Sequence, residues 1–199
     1  LALGGATAAS AALLDFTDNS VGLSGTIAGT TYTVTGFPVD PNRSEAFDGT
    51  ASDIVGVDLA LDNDGIGIAD DEITFGEEYV EIVFGREVTI LDVYFLDLFV
   101  NPQDELDRER AVISIDGAEP IFFQDGMQAK AGNNSGFADR VGPLTGTTWR
   151  FTEGEGNDGF GQPDYALAAL EVAPIPVPAA GLLLLGGLGV LGAVKRRKA

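Results

Sequence analysis

Apolar and polar residues alternate in short runs along most of this chain, the period of strands with one buried face rather than of helices. Residues 13–17 form a first short strand, 30–37 a second rich in Thr, Tyr, Val and Phe, and 54–61 a candidate third. Gly, Asn and Asp punctuate them. The clearest pair is 79–84 and 88–99, and the intervening Gly85-Arg86-Glu87 has the length and the glycine of a hairpin connection. Its second member is apolar on both faces, as expected of a central strand covered on both sides. Residues 112–115 and 121–123 flank Asp116-Gly117, another hairpin signal, and 149–152 and 165–172 close the series. Only 104–110 carries a helical pattern, for about two turns. Short, near-regularly spaced strands joined by Gly- and Asp-rich loops predict an all-β domain over residues 13–173, a jelly-roll-like β-sandwich.

Both ends break this pattern. Residues 179–194 contain no charged or strongly polar side chain, and such a run makes a helix of roughly 24 Å against a bilayer core of roughly 30 Å. A C-terminal transmembrane helix of marginal length is expected, its deficit covered by local thinning and by snorkelling of flanking cations. Lys195, Arg196, Arg197 and Lys198 follow at once. Clustered cations mark the cytoplasmic end of a span, which places the body on the outer side. At the other end, residues 1–12 are apolar and small, and Ala9-Ser10-Ala11 fits a cleavage site. They are expected to be the remnant of a signal peptide whose front is missing; a small-residue linker is the alternative.

The segment 174–199, with its Pro-motif, glycine-leucine span and basic tip, resembles the PEP-CTERM sorting signal of Gram-negative bacteria, in its Val-Pro-Leu-Pro-Ala variant. Ile175-Pro176-Val177-Pro178-Ala179 stands where that variant carries its motif, and Val177 replaces the Glu of the more familiar form. The resemblance implies that an exosortase, a membrane transpeptidase, removes the tail and passes the body to the cell surface or exopolysaccharide. An ordinary membrane anchor would keep the topology and lose the processing. A looser resemblance covers the body. Gly65 to Ile68, Asp71-Glu72-Ile73, the strands around 80–84 and 88–98, and Asp164 to Val172 are similar to exported proteins of this kind with a galactose-binding-like sandwich. That resemblance implies a carbohydrate-binding-module-like jelly roll with a structural calcium, and no sugar specificity.

Composition narrows the chemistry. Ahead of Pro174 the chain carries 31 acidic and seven basic residues, a charge of about −24, which repels nucleic acid and anionic lipid. A solubilising acidic surface and a set of divalent-cation sites both account for it. With neither Cys nor His present, a Ser-His-Asp triad, a thiolate nucleophile, a disulfide and an ordinary zinc or haem site are excluded. A glycosidase built on two carboxylates is the enzymatic reading left.

Calcium is the one cofactor this composition invites. Asp62-Asn63-Asp64-Gly65 resembles the middle of an EF-hand loop, but Ala60 would stand at the first position, which needs a ligand, and Gly67 at the eighth, so the pattern fails. Gly156-Asn157-Asp158-Gly159-Phe160 resembles one unit of a calcium β-roll, which needs tandem copies to stack. The candidate ligands are Asp62, Asp64, Asp70 and Glu72 in one loop, with Asp164 and Glu171 tying the last strand. Each has an ordinary alternative as a solvated carboxylate. Trp149, the only tryptophan, starts an alternating stretch and is expected in the core. Phe137 and Phe160 lie in Gly-rich loops, and Phe160 is the candidate for contact with a sugar ring. Arg150 and Arg140 are expected to pair with the acidic surface. Together these readings give a non-catalytic exported surface or matrix protein that binds exopolysaccharide. The alternatives are a secreted carboxylate-pair glycan-active enzyme and a purely structural biofilm protein.

Overall fold

The computed structural model describes residues 10–43, 46–70, 72–100, 108–123, 135–154, 156 and 163–174. Ten strands occur in chain order: β1 (Ala12–Asp15), β2 (Ser24–Ile27), β3 (Thr30–Phe37), β4 (Pro41–Asn42), β5 (Gly67–Ile68), β6 (Tyr79–Leu96), β7 (Ala111–Ile115), β8 (Ile121–Phe123), β9 (Ala138–Glu153) and β10 (Ala166–Val172). All named pairings are antiparallel. Among the described residues the only helical turn is a 3₁₀ turn at Ala51–Asp53, and no helix is long and apolar enough to cross a membrane.

β6 organises the rest. Its first half pairs with β3, from Tyr32↔Phe84 to Phe37↔Tyr79, and its second half with β10, from Val172↔Ile90 to Ala166↔Leu96. β9 follows both halves on the other side. Beyond them, β2 extends β3, β1 extends β10, and β7 and β8 extend the end of β9. One continuous sheet thus has two differently populated halves. Between them the β6–β9 register shifts, from Val83 to Val88 and from Ile90 to Asp92, and such shifts bend a strand.

Alternation decides what each half buries. In the first, Tyr32, Val34, Val80, Ile82, Phe84, Trp149 and Phe151 are buried, while Thr31, Thr33, Val83 and Arg150 are exposed. These inward side chains share one cluster with Leu14, Ile90, Val93, Phe95, Leu167 and Leu170 of the second half, a β-sandwich-like core. The Phe95 ring meets Tyr165 edge-on, with centroids 5.3 Å apart. The second half is covered on its other face as well, where Leu59, Ile54, Val57 and Leu61 pack with Tyr94, Leu96, Ala166 and Ala168. Double coverage explains why Val93–Leu96 is buried without alternation.

Two expectations are corrected here. Residues 85–87 do not reverse the chain, because the two halves of β6 pair with different neighbours and never with each other. Gly85 instead passes the strand close to the Thr31 side chain, and Arg86 Nη2 donates to the Gly29 carbonyl at 2.6 Å. Residues 54–61 are apolar because they cap a sheet face; they form no strand. The Asp116-Gly117 hairpin is present, with φ of 51° and 72° and Ala118 N donating to the Ile115 carbonyl at 2.9 Å. Trp149 is fully buried. The helical expectation at 104–110 lies mostly outside the described residues; Arg108 bridges Val100 in extended pairing. Of the expected signal-peptide remnant at 1–12, residues 1–9 lie outside them and Ala12 begins β1; the expected transmembrane helix at 179–194 lies wholly outside them.

Candidate metal centre

Three loops meet beyond the ends of β6 and β10. The first is the segment 62–65, braced against the turn that follows β1. Asn63 is buried, donates through Nδ2 to the Thr17 carbonyl and to Asn19 Oδ1, each at 3.0 Å, and accepts from Gly65 N at 2.8 Å. With Asn63 so fixed, the next residue, Asp64, is only 5% exposed. Ile66 then exchanges two hydrogen bonds of 3.0 Å with Leu167. Gly65 makes this approach possible, since it has φ of 135° and a Cβ there would lie 2.5 Å from the Leu167 carbonyl oxygen. Gly65→Ala is therefore expected to cost roughly 2 kcal/mol, read by urea denaturation; an unchanged midpoint would contradict the close packing.

Asp97 follows the last residue of β6 with φ of 57°, a conformation that Asp tolerates better than most residues. Its N–H donates to the Ser135 carbonyl at 3.0 Å, and Leu98 N donates to the Gly136 carbonyl at 3.1 Å. Ser135 also holds the third loop, because its Oγ accepts from Thr50 N at 2.7 Å and donates to the Thr50 carbonyl at 3.1 Å. That contact brings Asp48 to the same place. One carboxylate oxygen each of Asp48, Asp64 and Asp97 lies within 4.8 Å of the others.

Opposite ligands on a calcium ion stand about 5 Å apart, so one cation could touch all three oxygens. The donor set is entirely carboxylate oxygen, which suits a hard divalent cation and not zinc or copper. Adjacent carboxylates repel, and a bound cation would turn that repulsion into attraction.

The ligands expected from sequence divide around this centre. Asp64 belongs to it. Asp62 is outside the trio and accepts from Asn19 N at 3.2 Å. Asp70 and Glu72 instead flank a turn in which Asp70 N donates to the Ile68 carbonyl and Ile68 N donates to the Glu72 carbonyl. Asp164 and Glu171 lie seven residue steps apart on extended chain, about 23 Å, too far to share one ion. Asp164 N donates to Glu109 Oε1 at 3.3 Å. Glu171 is the cross-strand partner of Asp92, and burial followed by the Asp92 hydrogen bond and charge raises its pKa. Tyr94, whose hydroxyl stands 3.5 Å from Glu171 Oε2, is pushed up to about 12 by burial and by the neighbouring carboxylates.

Asp48 and Asp97 escaped the sequence reading. Asp97 had a signal in Leu96-Asp97-Leu98, a carboxylate interrupting an apolar run at a strand end. Asp48-Gly49 looks like any turn. Phe137, expected in an open loop, is buried and stacks on Tyr94 at 6.3 Å. The pairing of Arg150 with the surface is present, as Nη2 lies 2.8 Å from Glu81 Oε2 and the guanidinium covers the Tyr79 ring at 4.1 Å. Phe160, the motif residues Ile175 to Ala179, the basic tip and the Arg140 side chain lie outside the described set. No protein-family model matches the chain, and no curated protein matches it.

Proposed function

We propose that this chain is a non-catalytic, exported surface or extracellular-matrix protein of the PEP-CTERM kind. On this reading its body is a jelly-roll-like, galactose-binding-like sandwich that holds one calcium between Asp48, Asp64 and Asp97 and contacts exopolysaccharide. The observation that carries the reading is the order of the last residues, a Pro-motif, sixteen uncharged residues and four cations. An exosortase-type transpeptidase would recognise the tail in the inner membrane, cut it and release the body outward.

The centre fits that destination. Its three ligands come from three loops, so a cation there would tie together segments distant in sequence without taking part in chemistry. Extracellular calcium modules work with affinities of about 10⁻⁴ to 10⁻³ M, which a small set of carboxylates can supply. Absence of Cys makes such a clamp the available substitute for a disulfide in an exported fold.

The test is the intact mass and location of the chain in its native host, with and without residues 195–198. Loss of the C-terminal segment with release to the surface, abolished by removing the cations, is the expected result. Uncleaved protein retained in the membrane would reduce the tail to an anchor and overturn the reading. Release of reducing ends from exopolysaccharide by the purified chain would overturn its non-catalytic part.

A further inference from the structure

Sharing no residue with the three aspartates, a cleft of about 450 Å³ opens beside β7, β8 and the end of β9. That volume lies within the range of small-ligand sites, about 300–1,000 Å³. Two of its walls are aromatic and face solvent, Phe75 being 44% and Phe122 58% exposed. A soluble domain gains nothing in stability from displaying two such rings. Thr152 and Val112, cross-strand partners, also line it.

Arg110, Thr152 and Glu153 bring polar groups to the lining, and Glu153 is the buried one. Only 6% exposed, it accepts the Arg110 N–H through Oε1 at 2.9 Å, while its Oε2 is buried and has no hydrogen-bond partner among the described residues. A buried carboxylate oxygen normally has one, and its lack is costly unless something else supplies a donor. Once ionised, Glu153 thus offers an acceptor beside the aromatic faces, in a lining that Arg110 and Thr152 share.

We infer that this cleft binds an uncharged hexose unit of a polysaccharide, its C–H face against Phe75 or Phe122 and one hydroxyl donating to Glu153 Oε2. The flat rings offer what the apolar face of a pyranose packs on, and the lone acceptor matches a ligand rich in hydroxyl donors. The acidic body selects against uronic-acid and sulfated chains, which leaves neutral glycans. The inference deepens the polysaccharide contact proposed above and rests on it for the class of ligand.

The test is affinity electrophoresis of the full chain in mild detergent through starch, dextran, mannan, galactan and a mixed-linkage β-glucan, with alginate as the anionic control, and through the exopolysaccharide of its own host. At pH 8.5, where Glu153 is ionised, wild type is expected to be retarded by a neutral polymer and not by alginate. Phe75→Ala and Phe122→Ala together should weaken that binding about tenfold, in line with the loss of stacking. Glu153→Gln, which keeps the shape but replaces one acceptor, should weaken it about fivefold, the worth of one hydrogen bond. Retardation by a neutral polymer that survives the double phenylalanine variant would overturn the cleft and leave the polysaccharide reading standing. Retardation by alginate alone would overturn the neutral ligand. Migration unaffected by every polymer, the host's own included, would remove both.

Discussion

Adding calcium to the chelator-treated chain is expected to raise its thermal midpoint by about 5–10 °C, and Asp64→Asn is expected to abolish the rise. The figure follows from linkage: a ligand at a hundred times its Kd stabilises the folded state by about 2.7 kcal/mol, and 1 kcal/mol moves the midpoint of a domain this size by about 2–4 °C. Asp64 is the informative position because it is the buried member of the trio, held in place by the Asn63 hydrogen bonds on one side and Gly65 on the other. Asn is nearly isosteric but lacks the charge that a divalent cation requires. Differential scanning calorimetry with calcium, with magnesium and with chelator checks it. Equal midpoints in all three, or an equal calcium shift in Asp64→Asn, would remove the metal from the reading of this centre.

Why only one of the three aspartates was legible lies in how the centre is built. Asp62-Asn63-Asp64-Gly65 advertises an oxygen-rich loop, but its side chains separate: Asn63 braces Thr17 and Asn19, Asp62 meets Asn19 N, and only Asp64 joins the trio. The other two aspartates arrive through Ser135, which bonds the loop at Thr50 and the backbone of Asp97. Such a meeting is tertiary, and no local pattern records it.

The fold shows the same division. Residues 30–37 form a strand over the expected range because a half-buried strand states its period directly, as Tyr32 and Val34 point in and Thr31 and Thr33 point out. Asp116-Gly117 was legible because left-handed backbone at two successive positions strongly favours that pair. Gly85-Arg86-Glu87 misled because a glycine within a short polar break marks a bend and a reversal equally well. Which one forms is decided by distant partners, here β3 beside one half of β6 and β10 beside the other. The early part of β9 was missed for a related reason. Its Val141-Gly142-Pro143 and Gly146 read as turn residues, yet the segment from Ala138 to Gly146 pairs with the central strand.

Stability should fall as the pH rises from about 4.5 to about 7, and Glu153→Gln should remove about 3 kcal/mol of that fall. Burial is the chief cause that pushes the Glu153 carboxyl up to about 7 from 4.5; its hydrogen bond from the Arg110 backbone and the Arg110 charge oppose this, while Asp164 adds to it. Tyr165, fully buried close by, is itself raised by burial and by Glu153 and stays neutral throughout. In the window between the two values the folded chain holds a proton that the unfolded chain has released. Raising the pH therefore favours unfolding until the folded carboxyl too is ionised. Glutamine carries no charge at any of these pH values. Its amide nitrogen, if set in place of the unpartnered Oε2, lacks an acceptor and lowers stability by a constant amount. A constant offset cannot imitate a slope. Glu171, raised by burial and by Asp92, contributes to the slope of both proteins, so the difference between them isolates Glu153. Urea denaturation of the two at pH 4.5 and pH 8 reads it out. A difference in unfolding free energy that is the same at both pH values would show that Glu153 ionises as freely in the folded chain as in the unfolded one, and that its burial beside Phe122 carries no electrostatic cost.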